Sequence, residues 1–301
     1  LSQKKAIEHA TLKHLPELID GQAVPRLLSG AKLDKALDAL VLPTPPATPP
    51  TPPTPRPKLK LTPGQKRTQR IIGDLKYFER GTMPRLTLRC HKLSCIMSNP
   101  PPEAELCAES VLADAYAHRA EGLTFHRRAV HRTLDGDRLP VDLSMGAPQE
   151  LEISADASTS PRDVISLLIT FCGAAVLHLC KKIGAAVAST HEAESAATVR
   201  ASEYAIFARI VLRALGVHPE APTHIMTDNL ANQRVSQHAK SATRSRFFLI
   251  RQACLHQRVA DGEVDVVHVI DPENPSDFLT KTLPVAKTEA SIRYALGCAN
   301  T

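Results

Sequence analysis

Residues 151–182 read LEISADASTSPRDVISLLITFCGAAVLHLCKK. The opening LEISAD alternates apolar and polar side chains, the pattern of a half-buried strand. VISLLITF (164–171) and AAVLHLC (174–180) are two further apolar runs of strand length, placed around Gly173. Three strands in succession therefore open this part of the chain.

Downstream, the spacing predicts a long helix over His191–Leu215, closed by Gly216 as a C-cap. THIMTD (223–228) reads as a fourth strand. A helix falls within Arg244–Ala260 and ends at Asp261-Gly262. EVDVVHVI (263–270) reads as a fifth strand, and a short helix follows Pro275. The order is three strands, helix, strand, helices, strand, helix, an α/β class with a five-stranded sheet.

Upstream, the texture changes. PTPPATPPTPPTPRPK (43–58) is neither helix nor central strand, because proline fixes φ and lacks the amide donor. It reads as a polyproline II spacer, about 3.1 Å per residue where extended. Residues 1–42 are helical in pattern, with Ala6, Ile7, Ala10, Leu15 and Leu18 as apolar positions. Residues 62–140 are mostly helical, with Ile71, Ile72, Leu75 and Phe78 in one stripe. Gly122–Arg127 is a short strand candidate. The sheet domain spans 148–285, and 286–301 is left as a C-terminal tail.

The formal net charge of +6 favours an anionic partner such as nucleic acid. Seven cysteines at irregular spacing fit reduced thiols in an intracellular protein, cytoplasmic or nuclear. Cys90, His91 and Cys95 resemble half of a metal knuckle, but no second pair follows at finger spacing, which favours structural thiols. The longest apolar stretch, around Val164–Val176, is too short and too interrupted to span a membrane. No apolar secretory segment opens the chain, which starts at Leu1 and so reads as a fragment.

Acids stand at the ends of the elements. Asp156 ends the first strand, Glu194 lies one turn into the long helix, Asp228 ends the fourth strand and Asp277 begins the last helix. Strand ends and helix starts are where α/β sheets gather functional groups. Four carboxylates brought close repel unless cations bind between them, and hard oxygen donors suit Mg²⁺ or Mn²⁺. The competing reading is that such acids are exposed or only cap helices. Glu192 and Glu194 lie two apart, so they point in nearly opposite directions on a helix. Glu194 is followed at helical spacing by Ala197, Ala201 and Ala205, a stripe suited to packing on the sheet. Glu192 heads a mixed face and suits the helix dipole.

These motifs resemble the C-terminal ribonuclease H domain of copia-type LTR-retrotransposon Pol polyproteins. ADAS (155–158) is similar to the end of that family's first strand, S-D-A-D. STHEAES (189–195) is similar to its S-T-T-E-A-E-Y, and TDNLAN (227–232) to C-D-N-Q-S-A. RSRFFLIR (244–251) is similar to R-T-K-H-I-D-I-R. DGEVDVVHVIDPENPSDFLTKTLP (261–284) is similar to the closing segment, with its N-x-A-D-I-x-T-K. Gln69–Glu103 and Leu1–Glu8 resemble segments that follow the family's polymerase palm.

The resemblance implies a ribonuclease H-like mixed five-stranded sheet with flanking helices, preceded by a mainly helical thumb or connection remnant. It implies hydrolysis of the RNA strand of an RNA/DNA hybrid, with Asp156, Glu194, Asp228 and Asp277 holding two Mg²⁺ ions, or Mn²⁺. Ser158, Asn229, Arg244, Arg246 and Arg251 are the implied nucleic-acid contacts, alongside Arg234 and Lys240. No Tyr-x-Asp-Asp motif occurs, so polymerisation is not expected, and the missing palm becomes an implied partner in an intact polyprotein.

The sequence also departs from the family. Thr159 stands near the family's Trp, Phe247 replaces one His, and a later His falls on Ala253. His178, His191 and His268 are candidate substitutes; each is equally read as a packed or exposed residue. These departures support a second reading: a decayed or repurposed nucleic-acid-binding protein on the same fold. An integrase-like nuclease fits less well, because its three acids follow a different order.

Overall fold

The computed structural model describes residues 3–41, 61–125, 151–159, 163–183, 187, 189–219, 221–237 and 246–298. The proline spacer at 43–58 and all of 126–150 lie outside them. Side chains at 246–249 and 251 also lie outside the described set. The chain divides into two compact units, 2–122 and 123–301.

In the first unit the described helices are α1 (Lys4–His14), α2 (Pro16–Ile19), α3 (Gly30–Val41), α4 (Pro63–Gly81), α5 (Thr87–Ile96) and α6 (Glu103–Ala117). The start of α4 is written in its sequence. Thr62 Oγ1 accepts from the Gln65 amide at 3.2 Å, Gln65 Oε1 accepts from the Thr62 amide at 3.0 Å, and Pro63 fills the first position. The expected stripe of Ile71, Ile72, Leu75 and Phe78 is buried. Leu33 and Leu37 of α3 pack in the same core. The sequence suggested separate regions before and after the proline spacer. The structure joins them in one core, where the apolar face of α3 is buried with that of α4. Arg89 secures this join, pairing with Asp34 on α3 at 2.9 Å and Asp114 on α6 at 2.9 Å.

The second unit holds β1 (Leu151–Ser158), β2 (Val164–Phe171), β3 (Ala174–Lys182), α7 (Thr190–Ala214), β4 (Thr223–Thr227), α8 (Leu230–Gln237), α9 (Arg246–Ala260), β5 (Val264–His268) and α10 (Val285–Leu296). The sheet order is β3-β2-β1-β4-β5. β1 to β3 are antiparallel, and β4 and β5 add parallel to β1. This is the ribonuclease H-like mixed sheet that the resemblance implied. Cys172 (φ 48°) and Gly173 (φ 84°) make the two-residue hairpin between β2 and β3, both in the left-handed region that such a tight turn requires.

β2 is buried from Val164 to Thr170, which explains its continuous apolar run. Ile165, Leu167 and Ile169 face the core shared with α7, whereas Leu168 faces a core shared with α10. Ser189 caps α7, its hydroxyl accepting from the Glu192 amide at 3.2 Å.

Three expectations change. Residues 122–125 form no strand; the Thr124 amide donates instead to Leu296 O at 2.7 Å, at the end of α10. The helix expected after Pro275 is a single 3₁₀ turn, Asp277–Leu279. The segment left as a tail contains α10, whose Ile292, Ala295 and Leu296 recur at helical spacing and are buried. α8 was not singled out from the sequence.

Candidate metal centre

The sheet's register assembles the site. Parallel pairing sets Ser154 beside Met226, so two residues further on Asp156 comes level with Asp228. α7 packs across β1 and β2 with Ala197, Ala201 and Ala205 fully buried, and that face carries Glu194 to the same sheet end. Carboxylate oxygens of Asp156, Glu194 and Asp228 lie within 4.8 Å of one another. Glu192 stays half-buried in the first turn of α7, outside this group.

Asp277 arrives differently. The turn before it is pinned by Asn274, which is fully buried. Asn274 Nδ2 donates to Ala155 O at 3.4 Å, and its Oδ1 accepts from the Ser276 amide at 3.2 Å and hydroxyl at 2.8 Å. Asp277 then forms a second group with Asp228 and Asp271, again within 4.8 Å. Four predicted acids thus resolve into two overlapping triads that share Asp228, and Asp271 is an added member. Asp271 was missed because it lies on a turn, not at the end of an element.

The structure also places two lysines that sequence reasoning did not assign. Lys281 Nζ donates to Asp156 Oδ1 at 3.2 Å and lies 3.8 Å from Asp277 Oδ1. Lys287 Nζ donates to Asp277 Oδ2 at 2.5 Å and to Asp271 O at 2.9 Å. The Thr280 hydroxyl donates to Asp156 Oδ2. The signal for Thr280 and Lys281 was present in the T-K of the closing motif; nothing marked Lys287.

Burial dominates the electrostatics. Burial pushes the Asp156 carboxyl up to about 7; Lys281 opposes this, and Asp277 and Asp228 add to it. Burial, then Asp156 and Asp228, pushes Glu194 up to about 9. Burial also raises Asp228. For Lys281 burial disfavours the charge, but Asp156, Asp277 and Asp228 outweigh it and hold the ammonium above its ordinary range.

Such a site wants positive charge. Glu194 Oε2 and Asp277 Oδ1 are buried without a hydrogen-bond donor. Clustered hard oxygens fit Mg²⁺ or Mn²⁺ and do not fit softer, sulfur-seeking ions. The Cys90 pair does not join them: Cys90 is fully buried, with burial raising its thiol, and belongs to the helical unit.

The proposed nucleic-acid contacts are less concentrated. Ser158 ends β1 and is half-buried. Asn229 first serves its own helix, its Oδ1 accepting from the Ala231 and Asn232 amides at 3.0 and 3.3 Å. Its Nδ2 lies 3.4 Å from His191 Nδ1, beside the acids, and His268 Nε2 lies 3.1 Å from Asp228 O. His178 is buried on β3. Arg234 lies on α8. Arg246 and Arg251 lie on α9 with side chains outside the described set; Arg244 and Lys240 lie outside the described residues altogether.

No family model matches the chain. It is 28% identical over 122 residues to the retrovirus-related Pol polyprotein from transposon TNT 1-94 of Nicotiana tabacum. That match covers 40% of this chain and 9% of the tobacco protein. Among solved structures, ribonuclease H1 from Halobacterium salinarum NRC-1 aligns with a TM-score of 0.30 at 15% identity, over 40% of this chain and 86% of that one. LC11-RNase H1 in complex with an RNA/DNA hybrid aligns at 0.33 and 16%, over 41% and 88%. The Pol match, the motif order and the sheet topology together fit a copia-type Pol fragment with a ribonuclease H domain. Among the described residues no helix is long and apolar enough to cross a membrane.

Proposed function

We propose that residues 123–301 hydrolyse the RNA strand of an RNA/DNA hybrid, as one part of a copia-type Pol polyprotein. The observation that carries this reading is the convergence of Asp156, Glu194 and Asp228, from three separate elements, into one largely buried group. Asp156, Glu194, Asp228 and Asp277 would hold two Mg²⁺ ions, with Mn²⁺ as a substitute. Such ions supply an activated water and neutralise charge on the leaving oxygen of a phosphodiester.

The chain's own groups prepare the site. Asn274 and Ser276 fix the turn that presents Asp277. Thr280 orients the Asp156 carboxylate. Asp156 and Glu194 carry protons more readily than ordinary acids, so they release them when a cation arrives. Selectivity for RNA requires contacts to 2′-hydroxyls. Ser158, two residues after Asp156, and Asn229, next to Asp228, are the candidates for that role, with Arg244, Arg246 and Arg251 as backbone-binding candidates. The helical unit would hold the hybrid beside a polymerase palm, in the cytoplasm or nucleus.

A second reading, hybrid binding without turnover, draws on the two lysines that already neutralise Asp156 and Asp277. Glu194→Gln separates the two readings: loss of cutting with hybrid affinity kept supports the nuclease, and no cutting by folded wild type supports the binding protein.

A further inference from the structure

Lys281 stands where a cation is wanted. Its ammonium bridges Asp156 and Asp277, at 3.2 and 3.8 Å. Both acids are at least 98% buried at the side chain, whereas the Lys281 side chain is 36% exposed. Of the three paired groups, Lys281 is therefore the one in reach of solvent. Lys287 holds the other oxygen of Asp277, so that acid keeps a counter-charge if Lys281 leaves.

An ammonium and a divalent cation at the same carboxylate repel strongly, most of all where burial lowers the effective dielectric. Asp156 cannot serve both at full strength. We propose that Lys281 is the resident counter-cation of this site: it neutralises Asp156 and Asp277 in the metal-free protein, yields to the entering divalent ion, and then pairs with the phosphodiester backbone of the bound nucleic acid. The identity of the ion and the nucleic acid rests on the nuclease reading above. The displaced ammonium needs a new anion, and a phosphodiester is the anion that a nuclease site receives. Metal and hybrid then favour each other's binding, and the coupling is reciprocal.

The test is Mn²⁺ titration calorimetry on the full chain, comparing wild type, Lys281→Met and Lys281→Arg. Each is titrated alone and with a non-cleavable hybrid of DNA and 2′-O-methyl RNA. The Met variant should bind Mn²⁺ about tenfold more tightly without nucleic acid, within the usual range of coupling effects. Arg should keep the wild-type affinity, and the hybrid should close most of the gap between wild type and Met. Lys281→Gln supplies the same comparison if the Met variant does not fold.

Equal or weaker Mn²⁺ affinity in the neutral variants overturns the proposal and leaves Lys281 as a brace for the acids. A gap unchanged by hybrid overturns the phosphate step. If wild type cuts no hybrid yet the neutral variants still gain affinity, the nuclease reading fails and the counter-cation stands. If no form binds Mn²⁺, both fail.

Discussion

Asp156 and Glu194 are acids whose folded state favours the proton. Their ordinary values are 3.8 and 4.5, and burial moves them to about 7 and about 9. A group held above its unfolded value binds its proton more tightly when folded. Its stabilisation is present at low pH and declines as pH rises through the interval between the two values. Metal-free protein should therefore lose stability from about pH 4 to pH 9, with melting temperature as the readout. Mg²⁺ should raise the melting temperature more at pH 8 than at pH 5.5, because cation binding requires the deprotonated acids. An equal Mg²⁺ effect at both pH values would contradict the buried-acid account. Asn274 is the second residue whose loss should be felt. Asn274→Ala leaves the Ser276 amide and hydroxyl without their buried acceptor and frees the turn before Asp277. It should cost about 1–3 kcal/mol in chemical denaturation.

At the scale of elements, α10 is part of the domain. Its C-cap Gly297 has φ 80°, and a Cβ there would lie 2.1 Å from Thr124 O. Gly297→Ala should destabilise by at least about 1–2 kcal/mol from backbone strain alone, measured by denaturant midpoint. Ending the chain at Pro284 uncovers Leu123, Leu168, Phe278 and Leu279, and should lower the melting temperature by roughly 10 °C. Asp156 and Asp228 were legible in the sequence because each ends an apolar run of strand length, and Glu194 because an alanine stripe continues its helix face. The T-K of the closing motif marked Lys281 but not its pairing with Asp156 and Asp277, and nothing marked Asp271, since both places depend on how the 269–284 turn folds back over β1, which no local period encodes. α10 has a readable spacing, but the family resemblance ends at Pro284, just short of the boundary expected at 285. The four-acid cluster was foreseen as one group; its division into two triads follows from the separate route by which Asp277 enters.

The whole molecule has two units with separate cores. One core runs from Ile7 to Ala115, and the other two lie between Leu123 and Leu296. Calorimetry of the full chain should show two unfolding transitions. Mg²⁺ should move only the transition of the 123–301 unit, because every candidate ligand belongs to it. A single transition shifted as a whole would show that the units unfold together. The central claim is that this unit cuts RNA paired to DNA. The measurement is metal-dependent cleavage of an end-labelled RNA/DNA hybrid by wild type and by Asp156→Asn, with Mg²⁺ and with Mn²⁺. The account predicts cutting of the RNA strand alone, lost with chelator and reduced at least about 100-fold by the substitution, the scale of removing one group that stabilises developing charge. Folded wild type that binds the hybrid and leaves its RNA intact, or an Asp156→Asn variant that cuts as fast as wild type, would contradict it.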